Sequence, residues 1–241
     1  MGMPITVEIA DQSAKEEDFD VVFSYFRSVD EQFSPYKETS EVTKLNKGEL
    51  KESDYSDEMK EVLSLAEQTK KDANGYFDVW HKGKFDPSGI VKGWSIYNAA
   101  KILDKRGLAH FYVDAGGDIE VRGKNSEGAL WKVGIRNPFE TNSIIKTLQL
   151  TDCGVATSGT YIRGQHIYNP LEPDSAIKDI VSLTVVGPNV YEADRYATAA
   201  FAMGRDGIVF LSSIPHLAAY VIDANGVATM TANFEKFVYQ K

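Results

Sequence analysis

The sequence predicts an α+β fold in which antiparallel sheets are covered by helices. Segments of alternating apolar and polar residues have the period of half-buried strands, while separate segments carry apolar residues at helical spacing. The two kinds are interspersed without the regular strand–helix–strand repetition of a parallel sheet. Glycine and asparagine turn signals punctuate the strand-rich second half, as hairpins require.

The elements follow in order. Ile5, Val7 and Ile9 alternate with Thr6, Glu8 and Ala10, giving a first strand. Ser13 and Glu16 have the spacing of a capping box ahead of a helix. Phe19, Val22, Phe23, Phe26 and Val29 recur at helical spacing, so these aromatics belong to the core. A turn is expected at Ser34-Pro35-Tyr36-Lys37. Ser40 caps a short helix through Leu45 and Asn46, and Ser56 starts another with Met59, Val62, Leu63 and Ala66 inward, ending at Asn74-Gly75. A helix from Ser88 places Val91, Ser95, Ala99 and Leu103 on one stripe and closes at Gly107. Strands are expected over 109–114, 118–123, 130–136, 144–150 and 180–186, then helices over 192–203 and 206–213. Asn225-Gly226 joins strands 217–223 and 227–232 as a closing hairpin.

The chain has 241 residues, enough for one large domain or two closely packed lobes, with no repeat, low-complexity tract or evident linker. With 43% hydrophobic and 25% charged residues, it has an ordinary globular composition. A net charge of −9 and the lack of any Lys/Arg run argue against nucleic acid as a partner. The single cysteine, Cys153, excludes an intramolecular disulfide and a cysteine-based metal site. It reads as a small buried hydrophobe. No apolar run has the length of a membrane span, and the N-terminus lacks the basic and apolar regions of a secretory signal. As written, the chain is expected to be cytoplasmic and without a membrane anchor.

Four segments have chemical potential, and each also has a plain structural reading. Asp86 to Gly93 is a Ser/Gly turn entering a helix, which offers backbone N–H groups to an anion, with Lys92 one turn in. The same residues make an ordinary capped helix with a solvated lysine. Asp114-Ala115-Gly116-Gly117-Asp118 has paired glycines that let backbone approach a ligand, or simply turn a hairpin. Gly154 to Thr160 is a loop of small hydroxyl residues, followed by His166-Ile167-Tyr168-Asn169-Pro170. A histidine there can exchange protons near neutral pH, or sit on a polar surface. Asp194 and Thr198, spaced i, i+4 near a helix start, share one face and offer the hard oxygens Mg²⁺ accepts. Otherwise Asp194 caps the helix or pairs with Arg195, at a surface position.

The order of these segments is more specific than any one of them. Met1 to Ile5, Ser40-Glu41 with Leu45-Asn46, Gly75-Tyr76-Phe77-Asp78, Asp86 to Gly93, Gly116-Gly117-Asp118, Ala156-Thr157-Ser158-Gly159, His166 to Pro170 and Ala193-Asp194 to Thr198 together resemble the ApbE family of FAD:protein FMN transferases, formerly thiamine-biosynthesis lipoproteins. The similarity extends over nearly the whole chain and implies one ApbE-like domain over 1–241. It implies two lobes with FAD between them, and Mg²⁺ on the pyrophosphate. The reaction implied is transfer of the FMN half of FAD to a threonine or serine hydroxyl of an acceptor flavoprotein, with release of AMP. Carried over by position, the metal ligands are Gly89 and Ala197 through their carbonyls, with Asp194 and Thr198. The FAD contacts are Met1, Tyr36, Tyr76, Phe77, Asp78, Asp86, Lys92 and Ile167. His166 is the histidine that assists proton removal, and Asp194 is counted with it as catalytic. The chain departs from the family pattern at Tyr97 and Asn169, where aspartates are usual, and in a short stretch between Asp78 and Asp86; no lipobox cysteine precedes the domain. Two alternatives stand beside it: a FAD pyrophosphatase at the same site, giving free FMN and AMP, and, of a different class, a flavin-binding carrier without turnover.

Overall fold

The computed structural model describes residues 2–140, 142–160 and 167–240. The first strand, β1 (Ile5–Ile9), leads into α1 (Glu16–Phe33). The start of α1 differs from the expected box. Lys15 takes the cap position, and its backbone N–H donates to the Asp18 carboxylate at 2.7 Å, so the pair is Lys15 and Asp18 rather than Ser13 and Glu16. Val22, Phe26, Val29 and Phe33 of α1 are buried, while Phe19 and Phe23 stay half-buried at the edge of the stripe. Ser40 and Ser56 do cap the next two helices, accepting the N–H of Thr43 and Met59 in α2 (Glu41–Asn46) and α3 (Asp57–Asp72). Asn74 and Gly75, both at positive φ, end α3.

Residues 79–87 carry no periodic signal, yet they hold a small hairpin of β2 (Trp80–His81) and β3 (Lys84–Phe85), turned by Lys82 and Gly83 at positive φ. Helix α4 (Ser88–Lys105) follows. The expected stripe of Val91, Ser95, Ala99 and Leu103 is buried, but so are Ile90, Trp94, Ile96 and Ala100. This helix is therefore enclosed nearly all round, which a single-stripe reading understates.

The remaining strands are β4 (Phe111–Ala115), β5 (Asp118–Arg122), β6 (Trp131–Arg136), β7 (Ile144–Leu150), β8 (Cys153–Gly159), β9 (Ile180–Gly187), β10 (Ala218–Asp223) and β11 (Ala228–Met230). Helices α5 (Val190–Ala202) and α6 (Gly207–Ser212) lie between β9 and β10. Seven strands form an antiparallel sheet in the order β1-β4-β5-β8-β9-β10-β11. One face carries the helices. Phe111, Val113 and Ala115 of β4 meet α1 and α4, and Ala156, Leu183, Val185, Ala219 and Val221 meet α5 and α6. The other face is closed by the β6–β7 hairpin, with Trp131, Val133, Ile135, Leu148 and Leu150 against Ile119, Val121, Val155 and Val186. A separate apolar cluster joins α2, α3, the β2–β3 hairpin and the first half of α4. Sheet and helical cluster pack together in an α+β fold.

Strand β8 is the main correction to the expected elements. The segment from Gly154 to Thr160 is not a loop, since all but Thr160 lies in a strand between β5 and β9 at the centre of the sheet. Its glycine and hydroxyl content hides an alternation in which Cys153 and Val155 face one side and Ala156 the other. Gly154 is required by contact, because a Cβ there would lie 1.9 Å from the backbone nitrogen of Val190. Cys153 is the buried hydrophobe expected, and burial pushes its thiol up to about 12, so it stays protonated and unreactive at neutral pH. Among the described residues, no helix is long and apolar enough to cross a membrane.

Candidate functional site

The site is organised by the crossing of α4 and α5. Gly89 and Gly93 are one turn apart on α4, and Asp194 and Thr198 one turn apart on α5. A Cβ on Gly93 would lie 2.6 Å from the Asp194 Cβ, and one on Gly89 would lie 3.4 Å from the Thr198 Cγ2. The two glycines thus let the helices approach until the carboxylate and hydroxyl rest against α4 backbone. The Gly93 N–H donates to Asp194 Oδ2 at 2.8 Å. A regular helix would give that N–H to the Gly89 carbonyl, so Asp194 competes for the natural partner of a carbonyl that only the family resemblance implies as a ligand.

Helix α5 starts two residues earlier than expected. Asn189 is its cap and accepts the Glu192 N–H at 2.9 Å, so Asp194 lies beyond the first turn and does not cap. Nor does Asp194 pair with its neighbour. Arg195 points away and binds Asp72 at 2.8 Å and Glu192 at 2.9 Å. Asp194 is also not a surface residue, being 2% exposed. Burial pushes its carboxyl up; the Lys92 ammonium opposes that shift, and the nearby Asp118 adds to it.

Lys92 Nζ lies 2.6 Å from Asp118 Oδ2 and 3.5 Å from Asp194 Oδ1. It is therefore not the solvated lysine of the plainer reading. Asp118 begins β5 just after the Gly116-Gly117 turn, where both glycines have positive φ. Next along the same strand face, Glu120 accepts the Val190 N–H at the start of α5 and pairs with Arg122. Burial raises the Glu120 carboxyl to about 7. Glu120 went unread in the sequence, though a glutamate at an inward position of a strand is a signal in itself.

These elements enclose a cavity of about 510 Å³, within the range of small-molecule sites. Tyr76, Phe77, Asp78 and Asp86 line it from the segment between α3 and α4. Gly89 and Lys92 line it from α4, Asp194 and Thr198 from α5, and Ile167 from the segment after β8. Gly116, Thr157, Ser158 and Gly159 bring in the glycine turn and the end of β8. Nine of the residues that the family resemblance implies as FAD or metal contacts thus share one cavity. Asp78 is fixed by Lys70 at 2.7 Å and the Trp80 N–H at 2.9 Å, and Asp86 accepts the Ser88 N–H at 3.0 Å at the start of α4.

Other expectations fall elsewhere. Tyr36 is 93% exposed on the turn after α1 and does not line the cavity. Ala197, expected to act through its carbonyl, buries its side chain in the core between α5 and the sheet. Met1 and His166 lie outside the described residues. Tyr97 packs against the α1 side of α4, away from the cavity, with Lys101 Nζ 5.1 Å from its ring centre. Asn169 holds a turn by accepting the Leu171 N–H at 2.9 Å. Of two further lining aromatics, Tyr168 was named within its segment but given no role, and His81 escaped the sequence reading. His81 packs on Tyr168 with ring centres 3.9 Å apart, and the Tyr168 hydroxyl donates to the Asp78 carbonyl at 2.7 Å. A lone histidine in a segment without periodicity gave no signal.

Chemically, the cavity joins a helix N-terminus, an ammonium held by carboxylates, and hard oxygen donors on α5. No cluster of three or more His, Cys, Asp or Glu side chains suited to a metal occurs among the described residues. That donor set does not build a closed cage. It fits Mg²⁺, which binds through one or two carboxylates and completes its shell with water and substrate phosphates. Gly93→Ala tests the crossing. Its methyl group must displace the Asp194 side chain or the Val190 carbonyl, 2.9 Å away. Thermal unfolding is expected to show a loss of about 1–3 kcal/mol, with divalent-cation affinity falling alongside.

The family model described as ApbE family matches residues 1–82 and 80–221. The FAD:protein FMN transferase of Vibrio cholerae is 28% identical over 165 residues, covering 64% of this chain and 49% of that protein. The FAD:protein FMN transferase of Treponema pallidum is 30% identical over 140 residues, covering 51% and 39%. The chain thus spans about half the length, or less, of these curated relatives. Among solved structures, the flavin transferase ApbE from Vibrio cholerae superposes with a TM-score of 0.85 at 21% identity, covering 98% of this chain and 96% of that one. The ApbE protein of Thermotoga maritima gives 0.87 at 19% identity, covering 99% and 97%. With the family model spanning most of its length, this chain belongs to the ApbE family.

Proposed function

We propose that this protein is a Mg²⁺-dependent flavin transferase that moves the FMN half of FAD onto a threonine or serine hydroxyl of an acceptor flavoprotein. The observation that carries the reading is the α4–α5 crossing, where Gly89 and Gly93 lie against Thr198 and Asp194 at the wall of the cavity. Asp194, Thr198 and the carbonyls of Gly89 and Ala197 are the proposed metal ligands. When bound, Mg²⁺ supplies charge neutralisation at the pyrophosphate and at the departing AMP oxygen.

The chain's own groups do the rest. The N-terminus of α4 offers the backbone N–H of Gly89 toward the phosphates, and Lys92 adds positive charge beside it. Tyr76, Phe77 and Ile167 provide apolar wall for the rings of FAD, and Asp78 and Asp86 provide acceptors. In the reaction, the acceptor oxygen bonds to the FMN-side phosphorus while the bond from that phosphorus to the bridging oxygen breaks. AMP leaves with the electron pair. The hydroxyl proton passes to His166, assigned here by the resemblance alone.

A two-phosphate site is expected to bind FAD more tightly than FMN, by about tenfold or more, the scale of one added charged contact. A fluorescence-quench titration measures both ligands. Equal affinities would contradict the pyrophosphate site.

A further inference from the structure

Asp118 lies outside the proposed ligand set, yet it is 1% exposed and its two oxygens hold two different elements. Oδ1 accepts the Thr157 N–H of β8 at 3.1 Å, and Oδ2 lies 2.6 Å from Lys92 Nζ on α4. The strand ladder fixes its backbone, with Asp118 opposite Ala115. The same ammonium stands 3.5 Å from Asp194 Oδ1. The shorter distance is the tighter ion pair and the longer the looser one, so Lys92 is drawn to Asp118 first. Without that charge, Asp194 becomes the carboxylate that attracts the ammonium within this triad. An ammonium closed onto Asp194 Oδ1 competes with any cation for that oxygen.

We propose that Asp118 is a positioning residue, holding Lys92 off Asp194 so that the Asp194 carboxylate stays available to a divalent cation. The proposal rests on the assignment of Asp194 as a metal ligand. It gives the Gly116-Gly117-Asp118 segment a purpose beyond turning a hairpin, since the turn delivers a rigidly held carboxylate to the lysine.

The test uses Mn²⁺ as probe, with free Mn²⁺ read by electron paramagnetic resonance in the presence of the purified protein. Asp118→Asn is expected to weaken Mn²⁺ binding by about tenfold, the scale of one nearby charge. Adding Lys92→Met to Asp118→Asn is expected to restore affinity, because the competing ammonium is gone. A merely structural role for Asp118 would not produce that rescue. Should Asp118→Asn fail to fold, Lys92→Met alone decides the matter, and it is expected to tighten Mn²⁺ binding. Unchanged affinity in Asp118→Asn, absence of rescue in the double variant, or weaker binding in Lys92→Met would overturn the proposal. Asp194→Asn separates this outcome from failure of the metal assignment. If Asp194→Asn binds Mn²⁺ as the wild type does, or the wild type binds none, both ideas fall. If Asp194→Asn loses binding and Asp118→Asn keeps it, the role of Asp118 alone is wrong.

Discussion

Asp194→Asn is expected to lower AMP release from FAD at saturating Mg²⁺ by about a hundredfold or more, the scale of losing one transition-state electrostatic contact. Asparagine preserves the shape and keeps an oxygen that can accept the Gly93 N–H, now 2.8 Å from Asp194 Oδ2. What it removes is the charge that faces Lys92 and that would face the proposed cation. The change is not the near-neutral one of a surface position, because Asp194 is buried. A stability loss of about 1–2 kcal/mol is expected from weakening a hydrogen bond to a charged group. Thr198→Val is expected to show a smaller loss of activity, since a neutral hydroxyl is a weaker ligand than a carboxylate. The assay is AMP release across a Mg²⁺ titration with thermal unfolding alongside. Normal activity of Asp194→Asn at low Mg²⁺ would remove the metal assignment.

Gly154→Ala is expected to be the most destabilising single methyl addition near the site. The new Cβ would lie 1.9 Å from Val190 N, 2.2 Å from Asn189 C and 2.3 Å from Val190 Cα. All three are backbone atoms at the start of α5, so no side-chain rotation relieves the overlap. The helix must lift from β8 and carry Asp194 and Thr198 with it. The expected cost is about 3 kcal/mol or more, at the upper end of overpacking effects. For a chain of this size that lowers the melting temperature by about 6–12 °C. A melting temperature within about 2 °C of wild type, a shift worth less than about 1 kcal/mol, would mean that α5 is not held against β8 as described.

Much of this arrangement was legible because local chemistry and global fold agree. Ser40 and Ser56 cap the helices they precede, and Gly107 follows α4 at positive φ, as the sequence requires. Asn225-Gly226 turns β10 back toward β11, although β11 is shorter than expected. The i, i+4 spacing of Asp194 and Thr198 brought both to the cavity. The misses share a physical cause, in that tertiary contact overrode local signal. Strand β8 reads as a loop because Gly154 is small for the sake of α5, not for a turn. Ser13 looks like a cap, but Asp18 takes that work through the Lys15 N–H. The β2–β3 hairpin and the loop bearing Tyr168 bring His81 and Tyr168 together by ring packing and the Tyr168 hydrogen bond to the Asp78 carbonyl, which no periodicity announces. Asp118 and Glu120 look like ordinary strand acids until α4 and α5 are laid over them.

The central claim is that this site transfers FMN from FAD to a protein hydroxyl. It is tested most directly by incubating the protein with FAD, Mg²⁺ and a candidate acceptor flavoprotein, then reading in-gel flavin fluorescence after denaturation while AMP is quantified. The account predicts a fluorescent acceptor band, AMP in equal amount, and loss of both when the target hydroxyl residue of the acceptor is replaced by alanine or Mg²⁺ is chelated. AMP with free FMN and no band would make the protein a FAD pyrophosphatase, and FAD binding with no AMP would make it a carrier. Either result would contradict the transferase.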